Sequence, residues 1–240
     1  SGGASLGAAA WFALGLAAAW PFGIPVVAFA AALLALGFVC RVARRANGLL
    51  PLTLILAGVM VSAIESSLLL LIITFSTPGQ LQSITWWMLG NLQATSWPLI
   101  AACGGCVAVA AAVILSRANT LNALLLGEPM AEALGVNTKR DVPLLLLAAT
   151  LAAAAAVSLA GVIGFVGLVI PHVMRRLVGA NHRALLPASA IAGAAFMWLC
   201  DTAARHVGPV GGIPVGTVTA LTGGPFFLSL LVSSKRRPPC

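Results

Sequence analysis

Four ionisable side chains lie within or beside long apolar stretches of this chain: Glu65, His172, Asp201 and His206. Their spacing limits the chemistry they can do. A metal site needs at least three converging donors, and Glu65 and His172 each stand alone on their stretch. Asp201 and Arg205 are four residues apart, so a helix puts them on one face, where they can pair. Cys103 and Cys106 form a C-x-x-C inside an apolar run, with no second pair and no nearby His. That context suits small helix residues better than metal or redox chemistry. No serine with a basic partner stands out. The chain is therefore read as a protein without catalytic or metal-ligating residues. Glu65 is the residue least at home, because a carboxylate inside an apolar span is costly and usually faces a cavity or a partner. With Ser62 and Ser66 beside it, it could line a water-filled path. It could equally be a protonated or hydrogen-bonded structural residue, and both readings stay open.

Composition says where such residues must work. The 240 residues are 60% hydrophobic and only 8% charged, with a mean hydropathy of +1.06; a soluble domain carries about 25% charged residues. The fold class this implies is all-α, a polytopic transmembrane helical bundle. The net charge of +8 does not point to nucleic acid, since the cations sit in short groups between apolar spans rather than on one basic face.

A span needs about 20 apolar residues. On that measure the chain offers about eight: 6–20, 24–40, 52–75, 97–115, 142–160, 162–178, 185–204 and 216–232, the last interrupted at Gly223-Gly224-Pro225. After Thr77-Pro78-Gly79, residues 80–89 read as a short interfacial helix closed by Gly90. Trp86 and Trp87 there suit the head-group region, with substrate stacking as the alternative. In the stretch from Ser158 to Pro187, Gly161, Gly164 and Gly167 are expected to admit a neighbouring helix closely, and Arg175 and Arg176 to stop the span at the head groups. With Ser1 placed in the cytoplasm, twelve of the thirteen Lys and Arg fall inside, as the positive-inside rule requires. Only Arg205 falls outside.

The one long polar connection is 118–141. Leu121, Leu124, Leu125 and Leu126 precede Gly127-Glu128-Pro129, and Met130, Ala131, Ala133 and Leu134 precede Gly135. This reads as two short helices around a turn. So much leucine in a cytosolic loop calls for a cover, which could be the loop's own bundle or a cytosolic partner.

The residue pattern resembles the permease family of the ATP-binding-cassette importers for iron–siderophores, haem and vitamin B12, the FecCD-like permeases. The run Gly164-Phe165-Val166-Gly167-Leu168-Val169-Ile170-Pro171-His172 with Arg175 carries most of the resemblance. Gly179, His182, Arg183 and Leu186-Pro187 follow at the family's spacing, as do Asp201 with Arg205, Pro214-Val215-Gly216 and Gly223-Gly224-Pro225. Leu56-Ala57-Gly58, Trp87-Met88-Leu89-Gly90, Leu126-Gly127-Glu128 and Ala133-Leu134-Gly135 also fit. Cys200 departs from the family's usual Ala, and Glu65 is not a general feature of it.

The resemblance implies a single transmembrane permease domain over 1–240, with about eight of a ten-span permease present and the first two spans absent. It implies a homodimer of permeases in the cytoplasmic (inner) membrane, two cytosolic ATPase subunits and a periplasmic or lipid-anchored binding protein. The chain itself would bind no cofactor, and ATP would be used by the partner. Residues 118–141 would couple to the ATPase through Leu121, Leu124, Leu125, Leu126, Gly127, Glu128, Ala131, Ala133, Leu134 and Gly135. Ser62, Glu65 and Ser66 would belong to the translocation path, and Arg205 would dock the binding protein. The competing expectation is an ion- or proton-coupled secondary transporter that works through Glu65 and needs no ATPase.

Overall fold

The computed structural model describes residues 2–16, 23–46, 51–92, 96–207 and 213–234. Among them there is no strand. Eleven helices are present: α1 (Gly2–Ala13), α2 (Gly23–Ala46), α3 (Pro51–Thr74), α4 (Pro78–Met88), α5 (Trp97–Ser116), α6 (Ala118–Leu124), α7 (Glu128–Ala133), α8 (Thr138–Ala160), α9 (Val166–Val178), α10 (His182–Val207) and α11 (Val215–Ser234). Prolines open α3, α4, α5 and α7, where the missing N–H would have had no intrahelical partner.

Two compact units divide the chain. One holds α1 to α8, and the other holds residues 89–92 with α9 to α11. In the first, α1 packs on α2, α3 and α4, and α8 packs on α2 and α5. Its core is built from alanines: Ala4, Ala8, Ala28, Ala32 and Ala154, with Trp87 and Val157 against them. Such small side chains let helix backbones approach closely where no hydrophobic effect drives association. The outward faces are leucine-rich. On α3, Leu52, Ile55, Val59 and Met60 are all more than 60% exposed, as a bilayer-facing surface requires.

Among the described residues, five helices are long and apolar enough to span a membrane: 23–43, 52–74, 97–116, 138–160 and 182–207. Three of the expected spans differ. The first is α1, a helix of 12 residues, and residues 17–20 lie outside the description. The sixth is not a full span. α8 ends at Gly161, whose φ of 72° belongs to the left-handed region, and helix resumes only at Val166. The eighth, expected to break at Gly223-Gly224-Pro225, is one continuous 20-residue helix. The seventh runs through to Val207. The side chains of Arg44 and Arg45, the turn at 208–212 and the tail 235–240 also lie outside the described residues.

The glycines do their packing elsewhere than expected. A Cβ on Gly164 or Gly167 would meet nothing within 4 Å. On Gly3 it would press on Ala35 and the Ala31 carbonyl, and on Gly7 against Ala31 and the Val27 carbonyl. The close helix contact is thus α1 on α2, through a Gly-x-x-x-Gly at 3 and 7. The two tryptophans part company: Trp86 is 43% exposed, whereas Trp87 packs against the alanine core.

Candidate functional site

The connection between α5 and α8 is built much as its residues suggest. α6 and α7 are single short helices separated by Gly127, whose φ is 93°. Gly135, at φ 86°, closes α7 in a Schellman arrangement: its N–H bonds the Glu132 carbonyl at 2.9 Å and the Val136 N–H bonds that of Ala131 at 3.0 Å. Two left-handed positions are needed here, and glycine takes both without a Cβ penalty. The Asn137 side chain then caps α8, accepting from the Arg140 N–H at 3.2 Å. α8 thereby starts at Thr138, inside the region expected to be loop. Two polar braces fix the connection. Thr138 donates to the Glu132 carboxylate, and Arg117 donates to Asp141 at 3.1 Å.

The leucines of this connection split into two sets. Leu121 and Leu124 turn to the bundle, where they line an apolar recess of about 310 Å³ with Ile114, Val142, Leu145, Leu146 and Ala149. Leu125, Leu126, Met130 and Leu134 stay 51–65% exposed. Gly127, Ala133 and Gly135 are also exposed, Glu128 is half-buried, and Ala131 is buried. Own-bundle packing and an open apolar surface therefore both occur, on opposite sides of one element.

Glu65 lies midway along α3 and faces inward. Gly58, Val61, Ser62 and Glu65 recur at helical spacing and line an open cavity of about 190 Å³, whose other walls are Gly2, Gly3 and Ala32 from α1 and α2 and Thr150 and Ala154 from α8. The carboxylate lies so close to α1 that a Cβ on Gly2 would collide with it. Ser66 points away from the cavity and is exposed. Glu65 and Ser62 thus share one lining and Ser66 does not.

Arg205 sits in the last turn of α10. Its Nε donates to Asp201 at 2.7 Å, and its Nη2 to the Leu92 carbonyl at 3.3 Å. The side chain is still 59% exposed, so it ties residues 89–92 to α10 and remains open to a partner. Among the described residues the cysteines show no joint chemistry: Cys103 lies 3.8 Å from the Ser158 hydroxyl, and Cys40, Cys103, Cys106 and Cys200 are free thiols. Among the described residues no three His, Cys, Asp or Glu converge on a metal-sized site.

One feature does not follow from residue spacing. Phe165 is the one non-glycine residue with positive φ among those described, at 67°. Its side chain covers Gly223 of α11 so tightly that a Cβ on Gly223 would overlap it. Gly161, Gly164 and Gly167 around Phe165 are the sequence signal for it, but their spacing suits helix–helix packing equally well.

These features define a multi-pass helical membrane protein with a braced, leucine-faced surface between two spans. Its family follows from comparison: the FecCD transport family matches residues 1–233, and the chain belongs to that family. It is 41% identical to a cobalamin import system permease protein of Halobacterium salinarum, over 96% of this chain and 61% of that one. It is 34% identical to a hemin transport system permease protein of Yersinia pestis, over 98% and 72%. It is 36% identical to an iron(3+)-hydroxamate import system permease protein of Bacillus subtilis, over 89% and 63%. The chain thus spans 61–72% of the length of these relatives. It also resembles the solved structure of a metal-chelate type ABC transporter in an inward-facing conformation, with TM-score 0.81 and 32% identity over 97% of this chain and 73% of that one. Such permeases are transporter subunits, not enzymes, and the chain is placed in the cell's inner membrane.

Proposed function

We propose that the chain is the permease part of an ATP-binding-cassette importer that admits a metal held in an organic chelate. The observation that carries this reading is the α6–α7 connection. It presents Leu125, Leu126, Met130 and Leu134 outward on a scaffold locked by two capping glycines and the Arg117–Asp141 pair. A mobile loop could not pass on a push; a braced one can. ATP closes an ATPase dimer, the connection receives the movement, and two permease copies tilt between outward- and inward-open states. Each state is biased differently by nucleotide and by the loaded binding protein. Arg205, exposed on the opposite side by the cation count, takes part in binding-protein docking. The chelate is an iron–siderophore, haem or cobalamin. The cobalamin, hemin and iron-hydroxamate named for the relatives share the chemistry of a metal wrapped in a large organic ligand. The chain binds no cofactor of its own.

The test is purification of the full-length permease in detergent, with identification of what accompanies it and of its iron, haem and corrinoid content. A co-purifying ATPase and uptake that needs ATP are expected. A second reading rests on the Glu65 cavity: a carboxylate inside a span can drive an ion-coupled carrier. A permease that purifies alone and transports in vesicles without ATP, but stops when the proton gradient is collapsed, would establish that carrier instead.

A further inference from the structure

α9 has 13 residues, about 20 Å at about 1.5 Å per residue. α10 leaves the same short turn at 179–181, packs against α9 and runs for 26 residues, about 39 Å. Since α10 is long and apolar enough to cross a membrane whose hydrocarbon core is about 30 Å thick, α9 ends beside its middle. Residues 162–165 therefore continue at membrane depth as non-helical chain.

One side of that stretch is covered by α11. A Cβ on Gly216 would press on the Leu89 and Val162 carbonyls, and Gly223 sits under Phe165. Thr219, between them, is fully buried. The other side is open. Gly164, Phe165, Gly167 and Leu168 are exposed, and nothing lies within 4 Å of a Cβ placed on either glycine. Among the described residues, the N–H groups of Ile163, Gly164 and Phe165 have no backbone acceptor. Lipid cannot cover such a surface, because unpaired backbone polar groups at membrane depth persist only inside protein or against water.

We infer that Gly164, Phe165 and Gly167 line a water-filled section of the substrate path, with the Phe165 ring as an apolar contact for the organic rim of the chelate. This rests on the permease reading above. The left-handed Phe165, pinned on Gly223, holds the ring at this break in the helix. The absence of side chains at 164 and 167 leaves width for a large ligand.

Cysteine accessibility tests it in the full-length permease assembled in membrane vesicles, with the native cysteines replaced. Gly164→Cys and Gly167→Cys each fit open space, and Trp198→Cys on the exposed face of α10 serves as the control. The probe is a charged, membrane-impermeant methanethiosulfonate applied from both sides. Labelling at 164 or 167 should be at least tenfold faster than at 198 and should abolish uptake. Labelling no faster than the control, as expected if a second permease copy or another segment seals this face, overturns the assignment. So does full labelling with unchanged uptake. ATP-driven uptake by the unlabelled protein is measured in parallel. If uptake needs ATP and labelling fails, only the path assignment falls; if labelling is fast and uptake ignores ATP, the permease reading falls.

Discussion

Arg117 at the end of α5 donates to the Asp141 carboxylate at 3.1 Å, and that single ion pair closes the frame around α6 and α7. Asp141 is 6% exposed, so its charge has little water to fall back on. Asp141→Asn should cost about 1–3 kcal/mol, the range for leaving a buried charged hydrogen bond poorly made. The expected result is a lowered unfolding midpoint for the detergent-solubilised permease. Uptake should fall further than ATPase co-purification, because the exposed leucines survive while the frame loosens.

Leu126→Arg should leave folding intact, since Leu126 is 65% exposed, but place an unpaired charge on the surface proposed above to receive an apolar partner. ATP hydrolysis by the complex should continue while uptake drops at least tenfold. Unchanged uptake would remove the docking role from this surface.

Gly223→Ala places a methyl group in space the Phe165 side chain holds. Overpacking of this kind costs about 1–3 kcal/mol. Phe165→Gly in the same chain, which removes the Cβ nearest that methyl group, should recover most of that loss, and thermal unfolding of the two single variants and the double variant reads the coupling directly.

Gly3→Leu should separate α1 from α2, where Ala35 and the Ala31 carbonyl already press on the Gly3 position. Surface expression should fall, whereas Gly164→Ala, with nothing nearby, should be silent in the same assay.

Arg205→Glu reverses an exposed charge and sets it against Asp201, its 2.7 Å partner. Binding-protein docking at low salt should weaken about tenfold or more, and the effect should fade as salt screens it over about 10 Å at 0.1 M. Equal docking by both forms would leave Arg205 as a brace between α10 and Leu92.

Much of this was legible in the chain itself. Apolar length and the placement of twelve cations fix a multi-span bundle, because hydrocarbon tolerates no other arrangement of so few charges. The α6–α7 connection was equally readable, since Gly127, Gly135 and Asn137 act within a turn of their own positions. The tertiary structure decided what depends on neighbours distant in sequence. Periodicity could place Glu65 in a span, but only the packing of α1, α2 and α8 turned it into a cavity and left Ser66 outside. Composition counted 162–178 as a span, yet the approach of α11 at Gly216 and Gly223 gives residues 162–165 a surface to lie along. A glycine written in a sequence does not say whether it will admit a helix, turn a corner or open a path; the atoms that come to rest beside it do.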